Sequence, residues 1–163
     1  MNDTFPFFQF ALIGVGATFI MDLWAVILRR AFDIPSLDFA LVGRWVLHMR
    51  HGQWFHSPIS QAASQPGEAP LGWALHYAIG VLFAITFGMM IGGGWVLQPT
   101  PGPAVLFGLL TVLFPFLIMQ PAFGAGIAAA RTPAPMKARI KSIGTHLIFG
   151  IGLWIGAVCL VQI

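Results

Sequence analysis

One cysteine, five acidic residues and eight lysines and arginines are all that the 163 positions hold of thiol and fixed charge. The lone thiol, Cys159, excludes an internal disulfide framework and a cysteine-ligated metal cluster. So few charges cannot coat a water-soluble globule, and 58% hydrophobic residues with a mean hydropathy of +0.84 describe a chain whose solvent is lipid. The first apolar run lacks the basic leader and small-residue cleavage site of a secretory signal: it opens MNDTFPFF and ends in Arg29 and Arg30, so it reads as a retained span. No serine or cysteine sits beside a base in a hydrolase motif. The glycine triplet Gly92 to Gly94 is not followed by the Lys-Ser/Thr of a phosphate loop. The basic residues flank apolar runs and form no aromatic-interleaved patch, which argues against nucleic acid as a partner.

What is present are four runs of the roughly 20 apolar residues that a membrane-crossing helix needs, at 7–28, 71–97, 103–130 and 143–163. The expected fold is all-α and polytopic: a single domain over 1–163, with four transmembrane helices in an antiparallel bundle. Arg29, Arg30, Arg44 and Arg50 lie between the first and second runs, and Arg131, Lys137, Arg139 and Lys141 between the third and fourth. Positive-inside then puts both basic loops in the cytoplasm and both termini on the far side.

The cytoplasmic loop 31–70 contains PSLDFALVGRWVLHMRHG, which reads as a helix capped by Ser36 and stopped by Gly52. Arg44, His48 and His51 share one face, and Leu37, Leu41, Trp45, Val46 and Met49 supply an apolar surface. This pattern predicts an interfacial helix on the inner leaflet, with Arg44 and Arg50 at anionic head groups. QAASQPGEAP after it reads as a flexible linker.

Ionisable groups recur inside the apolar runs. At 1.5 Å per residue, Asp22 lies roughly 10 Å below the inner interface, and His76 and His146 roughly 8 Å. Gln120 would lie at roughly 16 Å in a regular helix ending at Arg131. Gly14, Thr18 and Asp22 repeat every fourth residue, as do His76, Gly80, Ala84, Gly88 and Gly92, and such small-residue stripes turn toward partner helices. Pro115 and Pro121 remove the helical partners of the Thr111 and Leu117 carbonyls and predict a kink at MQPAFGAG. A weak internal repeat pairs IMD (20–22) with IMQ (118–120), and HYAIG (76–80) with HLIFG (146–150).

With GRW (43–45), GWALHYAIG (from Gly72), MQPAFGAGIAAARTPAP (from Met119) and THLIFG (from Thr145), the chain resembles a bacterial inner-membrane family of four-helix proteins known only as a domain of unknown function. It is more distantly similar to YagU-like inner-membrane proteins, which also open two helices with an intramembrane histidine. The resemblance implies a multi-pass protein of the bacterial inner (plasma) membrane with periplasmic termini, and brings no catalytic residues.

Two functions fit. One is a non-enzymatic binding or translocation unit, or an accessory subunit of a larger membrane assembly, in which Asp22, His76, Gln120 and His146 hold a ligand or a proton. Its partners would be the lipid bilayer and a second copy or a larger complex, with the glycine stripes as a dimer interface. The other is a redox protein in which His76 and His146 bind haem b or a metal ion, with Gly80 and Gly150 leaving room beside a porphyrin. His48, His51 and His56 in the loop are a weaker metal candidate.

Overall fold

The computed structural model describes residues 6–162, which form helices, turns and loops with no strand among them. The chain ends, expected in the periplasm, lie outside the described residues. Four helical segments are long and apolar enough to cross a membrane: Phe7–Phe32, Glu68–Ile91, Pro101–Ala122 and Pro135–Val161. We name the helices α1 (Phe7–Phe32), α2 (Phe39–Met49), α3 (Glu68–Ile91), α4 (Pro101–Leu110), α5 (Gln120–Ala122) and α6 (Pro135–Val161).

Their ends follow local chemistry. α1 carries Arg29 and Arg30 in its last turn, where cations favour the helix dipole, and stops at Asp33 in the left-handed region. The cap of α2 is Asp38 rather than Ser36: its carboxylate accepts from the Ala40 N–H at 3.0 Å, so the helix begins two residues later than predicted.

The third apolar run departs most from a regular helix. Pro115 cannot donate to the Thr111 carbonyl, which takes the Phe114 N–H at 3.1 Å in a turn at Thr111 and Val112. A π-helical turn follows over Pro115–Met119, in which the Gln120 N–H reaches back to the Pro115 carbonyl. The helix then ends at Ala122 rather than Ala130, because Phe123 and Gly124 turn away, Gly124 with φ +88°. Beyond Ala122 the apolar stretch FGAGIAAA does not continue the α-helix and forms only a short 3-10 turn at Ile127–Ala129. Within it, Ala128 and Ala129 also have positive φ, 47° and 60°. Their carbonyls are held by Arg139 Nε and Thr132 Oγ1, each at 2.8 Å.

The chain forms two compact units. Among the described residues the first comprises 6–35, 77–110 and 145–162, and the second Ser36–His76 and Thr111–Gly144. The core of the first contains Phe10, Ile13, Ala17, Ala84, Phe87, Trp95, Phe149 and Leu153. Its helices approach through glycines. A Cβ at Gly14 would meet the Val81 Cα at 2.7 Å, and one at Gly88 would meet the Phe10 ring, so α1 and α3 run antiparallel. Gly152 lies on Ala17 and Gly156 on Ile13, which sets α6 antiparallel to α1. Gly108 and Gly150 meet directly where α4 crosses α6. Gly14, Gly80 and Gly88 of the predicted stripes therefore do face a partner helix, whereas Gly92 has nothing within 4 Å; Gly108 and Gly150 are likewise used within the chain.

The second unit is built on α2. Gly43 abuts the Glu68 carbonyl and Gly72 the Phe39 carbonyl, so α2 lies directly on the start of α3. Val42, Trp45, Ile59, Ala122 and Phe123 form its core. The segment after α2 is stitched to the end of α5 by the His56 N–H to the Ala122 carbonyl, 2.8 Å, and the Ile59 N–H to the Phe123 carbonyl, 3.1 Å.

Candidate functional site

The α1–α3 crossing positions the first pair of polar groups. Thr18 is fully buried, donates to the Gly14 carbonyl at 2.8 Å, and fills the space that a Cβ at Gly80 would need. Asp22 is one turn beyond Thr18, and Tyr77 is about one turn before Gly80 on the antiparallel helix. The two steps run the same way in space, and the Tyr77 hydroxyl donates to Asp22 Oδ2 at 2.9 Å. A carboxylate between membrane helices needs such a donor, because hydrocarbon offers none. Hydrogen bonds to an ionised acceptor are roughly twice as strong as neutral ones.

The other flank of α1 carries a donor. Ala17 against Gly152 and Ile13 against Gly156 fix the register with α6, and seven residues past Ala17 that register sets Trp24 level with Thr145. The Trp24 indole N–H is buried and has no hydrogen-bond partner. His146 follows Thr145 on α6, and its carbonyl lies against Gly108 of α4. The carboxylate and the unanswered indole donor thus lie on different faces of α1, Asp22 toward α3 and Trp24 toward α6. The Asp22–Tyr77 pair by itself can exchange a proton.

His76 belongs to the second unit, where its ring stacks on Phe39 at 3.9 Å between centroids, with Trp73 edge-on at 5.9 Å. Gln120 also belongs there. Its amide nitrogen is 3.4 Å from Ser142 Oγ, while its Oε1 is buried and unpartnered. Because the helix stops at Ala122, Gln120 is two residues from a helix end and not deep in a regular span.

The loop residues have their own partners. Arg44 is engaged within the chain: its guanidinium makes a bidentate pair with Glu68, 2.9 and 2.7 Å, and donates to the Ala62 carbonyl at 3.1 Å. Glu68 holds Arg44 above the ordinary arginine range, chiefly through that hydrogen bond. His48 places Nε2 2.9 Å from the Ala63 carbonyl and Nδ1 2.7 Å from Gln53 Oε1, so both nitrogens are engaged. His51 accepts from Arg50 Nε at 3.2 Å. The His56 ring is edge-on to His48 at 5.2 Å, with Nε2 buried and unpartnered. Burial, and then the neighbouring His48, push the His56 imidazole below its ordinary value. The stretch read as a flexible linker is tied down by the Ala62 and Ala63 carbonyls and by Glu68, whose carboxylate also accepts from the Gln65 N–H at 2.8 Å.

Sequence reasoning passed over Tyr77, Trp24 and Glu68. Tyr77 was accessible through the helix register once Thr18 and Gly80 were paired, whereas Glu68 lies 24 positions from Arg44 with no periodicity to link them. The room expected beside a porphyrin is filled: Thr18 occupies it at Gly80, and the Ala104 and Val105 backbone occupies it at Gly150. The two glycines open onto different helices, α1 and α4.

A family described only as a protein of unknown function, DUF2938, matches residues 11–160, and the chain belongs to it. No curated protein and no solved structure gave a match.

Proposed function

We propose that this member of a family of unknown function is a small, non-enzymatic binding or translocation unit of the bacterial inner membrane. It acts through a protonatable centre at Asp22 and Tyr77, alone or as an accessory subunit of a larger assembly. The observation that carries this reading is the 2.9 Å hydrogen bond from Tyr77 to Asp22 at a glycine-packed crossing of two helices long and apolar enough to span a membrane. A carboxylate is costly there, roughly 2.5 to 3.5 kcal/mol near a span's centre, and such groups mark ion and proton pathways.

The test is proton flux into proteoliposomes loaded with a pH-sensitive dye. After an external acid jump, the wild type acidifies the lumen faster than Asp22→Asn, with Tyr77→Phe between them. Equal rates in wild type, Asp22→Asn and protein-free liposomes would contradict the proposal.

A further inference from the structure

The second unit has a cleft of about 310 Å³ that the site above does not use. Trp45 and Met49 of α2, Trp54 and Phe55 of the following loop, and Leu117, Ile118 and Ala122 of the third span line it, and every one is apolar. Trp45 is buried at its floor, and its indole donates to the Trp54 carbonyl at 2.9 Å, which pins the aromatic loop over α2. Trp54, Phe55, Leu117 and Ile118 are exposed at the rim, Phe55 by 77%.

Three features identify the occupant. Leu117 and Ile118 are exposed apolar side chains of a segment long and apolar enough to cross a membrane, a wall suited to hydrocarbon. Exposed tryptophan beside the end of a span, here Trp54, is a side chain of the head-group level, and the exposed Phe55 next to it adds apolar surface. Arg50 directly follows Met49, is exposed, and lies in a unit where six lysines and arginines face two acidic residues, one of which, Glu68, is already paired with Arg44. The Arg50 guanidinium donates to the neutral acceptors His51 Nε2 at 3.2 Å and Gln65 Oε1 at 3.4 Å and meets no carboxylate among the described contacts. A narrow apolar slot with this cation one residue beyond its lining fits a lipid with a fatty tail and an anionic head.

We propose that this cleft binds one acyl chain of an anionic phospholipid, with the head group at Arg50. Bound there, the lipid would fasten α2 and its aromatic loop to the third span.

The experiment uses the full chain in phosphatidylcholine vesicles that contain phosphatidylglycerol or phosphatidylcholine brominated on the acyl chain. Bromine quenches tryptophan on contact, and the difference between wild type and Trp45→Phe isolates Trp45. Brominated phosphatidylglycerol is expected to quench Trp45 with about fivefold higher apparent affinity than brominated phosphatidylcholine. Arg50→Gln should bring the two lipids to parity with the thermal midpoint unchanged. Absence of Trp45 quenching by either lipid would overturn acyl-chain binding. Equal quenching by both lipids in wild type, or a preference surviving Arg50→Gln, would overturn the anionic head-group assignment. If Trp45 is instead shielded by a second copy, quenching will appear only on dilution to monomer, which also overturns the proposal.

Discussion

Thr18 and Gly80 share one space: the hydroxyl of Thr18 stands where a side chain at position 80 would begin. This contact sets how closely α1 and α3 approach and, one turn on, brings Tyr77 to Asp22. The polar pair is thus a consequence of the glycine packing, and disturbing one should disturb the other.

Gly80→Ala and Gly108→Ala should each destabilise the protein by about 1–3 kcal/mol, the cost of forcing atoms into a filled contact. Gly108 should be the more severe, because its space is held by the Gly150 backbone, which cannot rotate away. Gly16→Ala, with nothing within 4 Å of the added methyl, should be neutral or stabilising by up to about 1 kcal/mol. Thermal unfolding in detergent ranks the three, and a Gly16 variant as damaged as the other two would count against close packing as the cause.

The Arg44–Glu68 pair should behave as a geometric clamp on α2. Both side chains are 14% exposed and joined by two hydrogen bonds, so Glu68→Gln should cost about 1–3 kcal/mol. Arg44→Lys should recover little of Arg44→Ala, because an ammonium cannot supply the planar pair of donors. Proteolysis within residues 50–67 reads the loosening. Full protection in Arg44→Lys would show that charge alone is enough.

His56 gives a pH dependence whose direction is fixed by its surroundings. Burial and His48 lower its affinity for a proton in the folded state, so the unfolded chain binds more protons below the ordinary histidine value of 6.5. Stability from this group is complete above about pH 6.5 and falls as the pH drops below it. The melting temperature should decline between about pH 7 and pH 5 in the wild type and more gently in His56→Asn. Parallel declines would assign the effect to another group.

The orientation proposed from the basic loops places Ser64 in the cytoplasm. A cysteine at that position, in a Cys159→Ser background, should resist a membrane-impermeant thiol reagent in intact cells and react after lysis. Labelling of intact cells would reverse the topology.

The spans were legible because hydropathy needs only composition, and the glycine stripes because a four-residue repeat is a helix face. The end of the third span was not. Residues 123–130 are as apolar as a helix, and it is backbone conformation at Phe123, Gly124 and Gly126 that ends it. Ser36 and Asp38 are both capping residues two positions apart, and only the bond to Ala40 distinguishes them. Asp22 was recognisable as a polar group in the wrong solvent. Its partner was not, since Tyr77 stands next to the more conspicuous His76 and only the α1–α3 register selects it.

The central claim is that Asp22 is a reactive, protonatable carboxyl inside the apolar bundle. It is tested most directly by labelling the reconstituted protein with the hydrophobic reagent dicyclohexylcarbodiimide, which modifies carboxylic acids in apolar surroundings, and locating the adduct by mass spectrometry. The account predicts a principal adduct on Asp22, absent in Asp22→Asn and formed at a changed rate in Tyr77→Phe, where the hydroxyl no longer holds the carboxylate. A protein that stays unlabelled at Asp22 while carboxyls elsewhere react, or a rate indifferent to Tyr77→Phe, would contradict it.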